Sequence, residues 1–198
     1  MEHIALAETK LTLEEFQKFA ETHDGYWELY EGVPVRMDSP GAAHQWIAKR
    51  LLIAIDSYLA GKKCEVLPEM DVWVSSEKLD SARNKKKDAT RRPDLLVYCG
   101  KEQHVSGVIL APQLVAEIWS PSNTAAERAE KQAVYQSIGV GEIWQIDAET
   151  GDFCILTFEN KFRTYFSGGN IRTEPLKSQY FPGLWVDLSG IDGFLEAF

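Results

Sequence analysis

Two apolar runs, each interrupted by a single acid, constrain this chain more than any other feature. Pro93-Asp94-Leu95-Leu96-Val97-Tyr98-Cys99 and Leu114-Val115-Ala116-Glu117-Ile118-Trp119-Ser120 are both of strand length. A carboxylate buried in such a strand costs several kcal/mol unless it is paired, protonated or bound to a metal. If the two strands are neighbours, Asp94 and Glu117 stand at adjacent strand ends. There they could share one divalent cation, as hard oxygen ligands do when they hold Mg²⁺ alongside retained waters.

The elements around these runs follow from local signals. Thr12 with Glu15 is a capping box that opens a helix with Leu13 and Phe16 on its apolar face. Residues 26–30 and 33–37 read as a hairpin turning at Gly32, with Pro34 confining the second strand to an edge. From Ala42 to Leu59, Trp46, Ile47, Leu51, Ile55 and Leu59 recur at helical spacing, and Gly61 ends the helix. Residues 64–68 and 71–74 read as strands. Thr124 with Glu127 caps a second long helix, to about Ile138, which connects the strand at 114–119 to another at 142–147. A strand, a crossover helix and a strand of these lengths form a right-handed unit, so the two strands should be parallel. A hairpin over residues 153–166 follows, and the tail 181–188 should pack back on the sheet. The whole reads as one domain spanning 1–198.

Composition bounds the function. The net charge is -9 in 198 residues, so the chain as a whole does not draw polyanions by long-range field. Positive charge is concentrated at Arg83, Lys85, Lys86, Lys87, Arg91 and Arg92. Such a stretch reads either as a solvated loop or as a phosphate-gripping one. No apolar run reaches the ~18 residues of a membrane span, and no membrane partner is expected. Cys64, Cys99 and Cys154 are an odd count without CxxC spacing, which argues for reduced thiols and a cytoplasmic protein.

The chemistry converges on the second long helix. Glu127, Lys131 and Tyr135 are spaced four apart along one face. Helical side chains lean toward the N-terminus, so Lys131 can point back at the end of the strand carrying Glu117. Asp94 and Glu117 would then hold a metal, and Lys131 would orient an attacking water or offset charge on a pentacovalent phosphate. His44 reads as a helix-start surface residue or as part of the cleft wall. Glu31, beside Gly32, reads as a turn residue when taken alone.

The ordered set Leu-Thr-Leu-Glu-Glu-Phe (11–16), Tyr-Trp-Glu-Leu-Tyr-Glu-Gly (26–32), His44, Pro93-Asp94, Glu117-Ile-Trp-Ser-Pro-Ser, Lys131 with Tyr135, Gly-Val-Gly-Glu-Ile-Trp-Gln-Ile-Asp (139–147) and Pro-Gly-Leu-Trp-Val-Asp-Leu (182–188) resembles the Uma2 family of the PD-(D/E)XK restriction-endonuclease-like superfamily. The resemblance implies a restriction-endonuclease-like α/β (α+β) fold, a mixed β-sheet flanked by helices with N-terminal and C-terminal β-hairpins, and a nuclease site using Mg²⁺, or Mn²⁺, on DNA. Asp94, Glu117 and Lys131 would be its catalytic residues. Glu31, His44, Glu127 and Tyr135 would support them, with Glu31 a candidate third acid. Two positions depart from the pattern: Trp119 stands where E-x-K would place lysine, so that role passes to Lys131, and Glu127 stands where similar proteins usually have Asp. Cutting both strands of a duplex would need two sites, which makes a homodimer the expected assembly. A catalytically silent binding module and a phosphoesterase acting on another nucleotide are the alternatives.

Overall fold

The computed structural model describes residues 10–30, 32–37, 40–74, 89–100, 104–105, 108–109, 111–159 and 163–197. Its centre is a six-stranded mixed sheet in the order β12-β11-β10-β9-β6-β3, built from β3 (Cys64–Pro68), β6 (Leu95–Cys99), β9 (Leu114–Trp119), β10 (Glu142–Asp147), β11 (Asp152–Glu159) and β12 (Arg163–Asn170). All six residues of β9 are buried, as befits a strand covered on both faces. The crossover expected from sequence is present: β9 and β10 are parallel, joined by helix α3 (Ala125–Ile138). β6 runs antiparallel to β9, pairing Leu95 with Ala116 and Leu96 with Val115.

Period-two alternation sends neighbouring residues to different cores. Leu114, Ala116 and Ile118 join the cluster beneath helix α2 (Ala42–Leu59), with Trp46, Ile47, Leu51 and Ile55. Val115 joins the cluster beneath α3, with Val134, Tyr135 and Ile138. By the same alternation Glu117 belongs to the α3 side. This is the face from which Lys131 and Tyr135 approach.

Both expected capping boxes are formed, Thr12 with Glu15 at the head of α1 (Leu13–Thr22) and Thr124 with Glu127 at the head of α3. The N-terminal hairpin, β1 (Tyr26–Tyr30) and β2 (Val33–Met37), packs Trp27 and Leu29 on Phe16 of α1. It docks through a short strand, β5 (Ala89–Arg91), which pairs with β4 (Val72–Val74). There the Leu29 N–H donates to Thr90 Oγ1 at 3.3 Å, and Arg91 Nη1 donates to the Leu29 carbonyl at 2.9 Å. The polar stretch read as a loop up to residue 92 therefore ends in a strand. β4 also pairs with β8 (Val108–Ile109), and β8 with β7 (His104–Val105), completing a second small sheet.

The C-terminal tail packs back as expected, with Leu184, Val186 and Leu188 buried in the α2-side core. Here β13 (Leu176–Lys177) pairs with β14 (Trp185–Val186), and a short helix α4 (Ile191–Leu195) follows. Glu142, completely buried, fastens this tail to the sheet. It accepts hydrogen bonds from Ser178 Oγ at 2.7 Å and from the N–H groups of Gln179 at 2.9 Å and Tyr180 at 3.0 Å. Thr157 Oγ1 and Trp144 Nε1, each at 2.7 Å, donate to the same carboxylate. Beside it Gly141 lets the tail approach closely, because a Cβ there would come within 2.3 Å of the Tyr180 ring.

The cysteines overturn one expectation. Cys64 and Cys99 face each other across β3 and β6 and form a disulfide, so only Cys154 carries a free thiol. Disulfides persist in oxidising compartments, and the cytoplasmic placement argued from cysteine usage loses that support. Among the described residues no helix is long and apolar enough to cross a membrane.

Replacing Glu142 with Ala strands several buried donors at once, each costing about 1–3 kcal/mol. Urea denaturation of Glu142→Ala should therefore show a loss of at least about 3 kcal/mol, far above the usual effect of a single substitution. A loss below about 1 kcal/mol would mean that this carboxylate does not hold the tail.

Candidate functional site

The α3 face brings a lysine between two carboxylates. Lys131 Nζ lies 2.9 Å from Glu28 Oε1 and 3.3 Å from Glu117 Oε2, and the Tyr135 hydroxyl donates to Glu117 Oε1. All are interior, with Glu28 2%, Glu117 3% and Lys131 7% exposed. Two carboxylates against one ammonium leave the cluster short of one positive charge. Burial, opposed by Lys131 and reinforced by Asp94 and Glu28, accordingly pushes the Glu117 carboxyl up to about 7. Burial alone would lower the Lys131 ammonium, but the charges of Glu117 and Glu28 outweigh it and hold the group above its ordinary range. Burial, then the same two carboxylates, drive the Tyr135 hydroxyl well above its usual value, so it remains a proton donor.

Asp94 stands one step beyond the last paired residues of β6, and continuing the register sets it opposite Glu117. Its Oδ2 accepts the Ile118 N–H at 2.6 Å, and its Oδ1 lies 3.0 Å from His44 Nε2. Its side chain is 22% exposed and lines, with His44, a cleft of about 550 Å³ between the start of α2 and the turn at Pro68-Glu69. Desolvation would lower the His44 pKa, but the hydrogen bond that the ring donates to Asp94 and the charge of that carboxylate prevail and raise it. His44 thus belongs to the cleft, and the helix-start surface reading of it is set aside.

A family model described as "Uma2: Putative restriction endonuclease" matches residues 13–189. The chain belongs to the Uma2 family. Among solved structures it is similar to one titled a "putative nuclease belonging to DUF820" from Anabaena variabilis ATCC 29413, with a TM-score of 0.69 and 16% sequence identity. The similarity covers 93% of this chain and 99% of that one, and shows a shared fold. No curated protein matches the sequence.

In this Uma2 chain, Asp94, Glu117, Lys131, Tyr135 and His44 all come to one region, on α2, α3 and the ends of β6 and β9. Glu127 does not join them: its carboxylate turns back to the Thr124 N–H at 2.7 Å and Thr124 Oγ1 at 3.0 Å, completing the cap. Of the basic stretch, Arg91 is buried, paired with Glu130 and set over the Tyr30 ring. Arg92 grips Asp71 with Nε at 2.8 Å and Nη2 at 3.0 Å. Both guanidinium charges are balanced within the protein, which corrects the expectation of a phosphate-gripping role for these two. Arg83, Lys85, Lys86, Lys87 and the candidate third acid Glu31 lie outside the described residues.

Glu28 is the site residue that sequence reasoning missed. The signal was present, since Glu28 is an acid between Trp27 and Leu29, both core residues, just as Glu117 stands between Ala116 and Ile118. Beyond Lys131, Glu28 Oε1 accepts the Arg92 N–H at 3.1 Å, which ties β1 to the segment entering β6.

Asp94 and Glu117 offer the hard oxygen donors that Mg²⁺ prefers. Among the described residues no group of three or more His, Cys, Asp and Glu is placed to hold a metal. Two carboxylates are the share of ligands that a protein supplies to a cation whose coordination is completed by water and substrate oxygens. Each carboxylate oxygen has more than one lone-pair site, so the hydrogen bonds already made do not exhaust the donor set.

The excess negative charge gives a pH signature. In metal-free buffer the Glu117 carboxyl titrates near 7 in the fold and near 4.5 in the unfolded chain. Its ionisation therefore opposes folding increasingly from pH 4.5 to 7, whereas below that window it has no effect. Thermal melts of wild type and Glu117→Gln should diverge in favour of the variant as pH rises through the window, by on the order of 2 kcal/mol. A pH-independent difference would show that Glu117 carries no such electrostatic strain.

Proposed function

We propose that the chain is a Mg²⁺-dependent endodeoxyribonuclease, with Mn²⁺ as an alternative ion, that hydrolyses phosphodiester bonds through Asp94, Glu117 and Lys131. The observation that carries this reading is the meeting of Lys131, from the helix after β9, with Glu117 beside Asp94, in a chain of a family described as restriction endonucleases. The lysine absent from position 119, occupied by Trp119, is supplied from α3 to the same carboxylate.

A divalent ion held by Asp94 and Glu117 would polarise a phosphoryl oxygen and make a bound water more acidic. The protein's own groups have distinct tasks. Lys131 has three N–H donors, of which Glu28 and Glu117 take two. The third offers a hydrogen bond to the attacking water or to a phosphate oxygen as negative charge grows there. Glu28 and Tyr135 fix the positions of Lys131 and Glu117, and His44 orients Asp94 through Oδ1. None of these groups needs to reorganise as the reaction proceeds.

A second reading, a silent member that binds without cutting, is favoured by the same burial, because the cluster also serves as an internal ionic tie. Incubation of plasmid with purified protein and Mg²⁺ or Mn²⁺, beside Asp94→Asn, separates the two. Asp94 is part-exposed, and the variant should fold while lowering the single-turnover cleavage rate by about 10²-fold or more, the size of one electrostatic contributor. No cleavage by wild type, or equal rates for the two proteins, would sink the nuclease reading.

Double-strand cutting would call for two sites. The edge strand β12, with Phe166 70% and Tyr165 43% exposed, is the element that a second copy could pair with in a C₂ dimer. Sedimentation should give twice the chain mass for wild type and the chain mass for Phe166→Lys; a monomeric wild type would remove the dimer.

A further inference from the structure

We infer that the cleft beside Asp94 is a subsite for a single unstacked nucleotide, so that the substrate is a single-stranded or locally opened nucleic acid rather than an intact duplex. This rests on the phosphodiesterase reading above and specifies its substrate. The first argument is depth. Glu28, Glu117 and Lys131 are almost fully enclosed, and the acid of this group that solvent reaches, Asp94, forms part of the cleft wall. A phosphate that enters the cleft therefore meets Asp94. The phosphates of an intact helix lie on a stiff outer rail, whereas an unpaired strand can bend one phosphate inward and carry its base with it.

The second argument is the lining. At about 550 Å³ the cleft falls in the range of small-molecule sites, ~300–1,000 Å³. Its walls are largely apolar, with Trp46, Ala48, Leu52, Leu95 and Phe194 taking part. Trp46 and Phe194 form a tilted aromatic pair with centroids 5.8 Å apart. The apolar part of this surface suits a planar base. Polar groups share the wall: Lys49 supplies a cation for the phosphate of the adjoining nucleotide, Gln45 an amide able to bond a base edge, and Glu69 a second acid beside Asp94. Unpaired bases held on apolar and aromatic walls, with cations along the backbone, are how proteins bind single strands without reading sequence.

Binding rather than cutting provides the test, so that a failure of catalysis and a failure of the subsite are told apart. A fluorescein-labelled twelve-nucleotide single strand and the blunt duplex of the same sequence are titrated by anisotropy in EDTA, with wild type, Ala48→Phe, which fills the cleft, and Lys49→Gln. Melting temperatures establish that each variant is folded. Wild type should prefer the single strand by about tenfold, and Ala48→Phe should lose about tenfold on that strand while duplex binding changes less than about twofold. Lys49→Gln should weaken single-strand binding and flatten its salt dependence. Equal affinity for the two probes, no binding of either, or single-strand binding untouched in a folded Ala48→Phe would overturn the subsite. If Ala48→Phe does not fold, Phe194→Ala on the exposed short helix replaces it, with the same loss expected and the same outcome decisive. Single-strand selectivity in a protein that cuts no DNA would uphold the subsite and remove only the nuclease.

Discussion

The structure depends on one ammonium group held in the interior by two carboxylates. Burying any of the three alone would be prohibitive, and removing one member of a buried pair typically costs about 3–5 kcal/mol. Lys131 lets Glu28 and Glu117 be buried, and they in turn keep Lys131 charged. The arrangement is unbalanced by one negative charge, and Glu117 carries the imbalance. A folded protein gains nothing from that excess unless something positive approaches it. This is why the cluster reads more naturally as chemistry than as a stability device.

Placement of the cluster follows from ordinary rules of chain geometry. Alternation along β9 sends Glu117 to the α3 face while Ala116 and Ile118 fill the other core. The capping box at Thr124 sets where α3 begins, and hence which turn presents Lys131 to that face. The hairpin strand β1 adds Glu28 through contacts with Thr90 and Arg91. Three elements thus contribute one side chain each, β1 from far off in sequence and β9 and α3 as chain neighbours, and each is positioned by residues that have no part in the chemistry.

Much of this was legible in the sequence. Periodicity located α2 and α3, the crossover rule made β9 and β10 parallel, and an acid in an apolar strand marked Glu117. What was not legible has physical reasons. Glu28 carried the same mark, but β1 reads as a hairpin beside a turn, the partner of Glu28, Lys131, could not be inferred from local pattern, and the family resemblance pointed to Glu31 instead. Arg91 looked like part of a basic loop because a buried arginine is identified only by its acid, Glu130, which lies on another element. The Cys64–Cys99 disulfide depends on strand register, which spacing between cysteines does not encode. Glu127 drew two readings from the sequence, the cap of Thr124 and a place on the functional face, and the cap is the one its carboxylate makes.

The docking of β1 also has a consequence for the order in which the molecule comes together. The strand-helix-strand unit of β9, α3 and β10 joins residues close in sequence, and such contacts form early because little chain must be closed. Glu28 reaches Lys131 only by closing a loop across about half of the chain, a step of larger entropy cost. Until then Lys131 has Glu117 alone, and the pair is electrically even. The excess negative charge, and with it the appetite for a cation, therefore exists only where β1 has docked, so that a chain lacking that contact lacks the feature on which the proposed chemistry would draw.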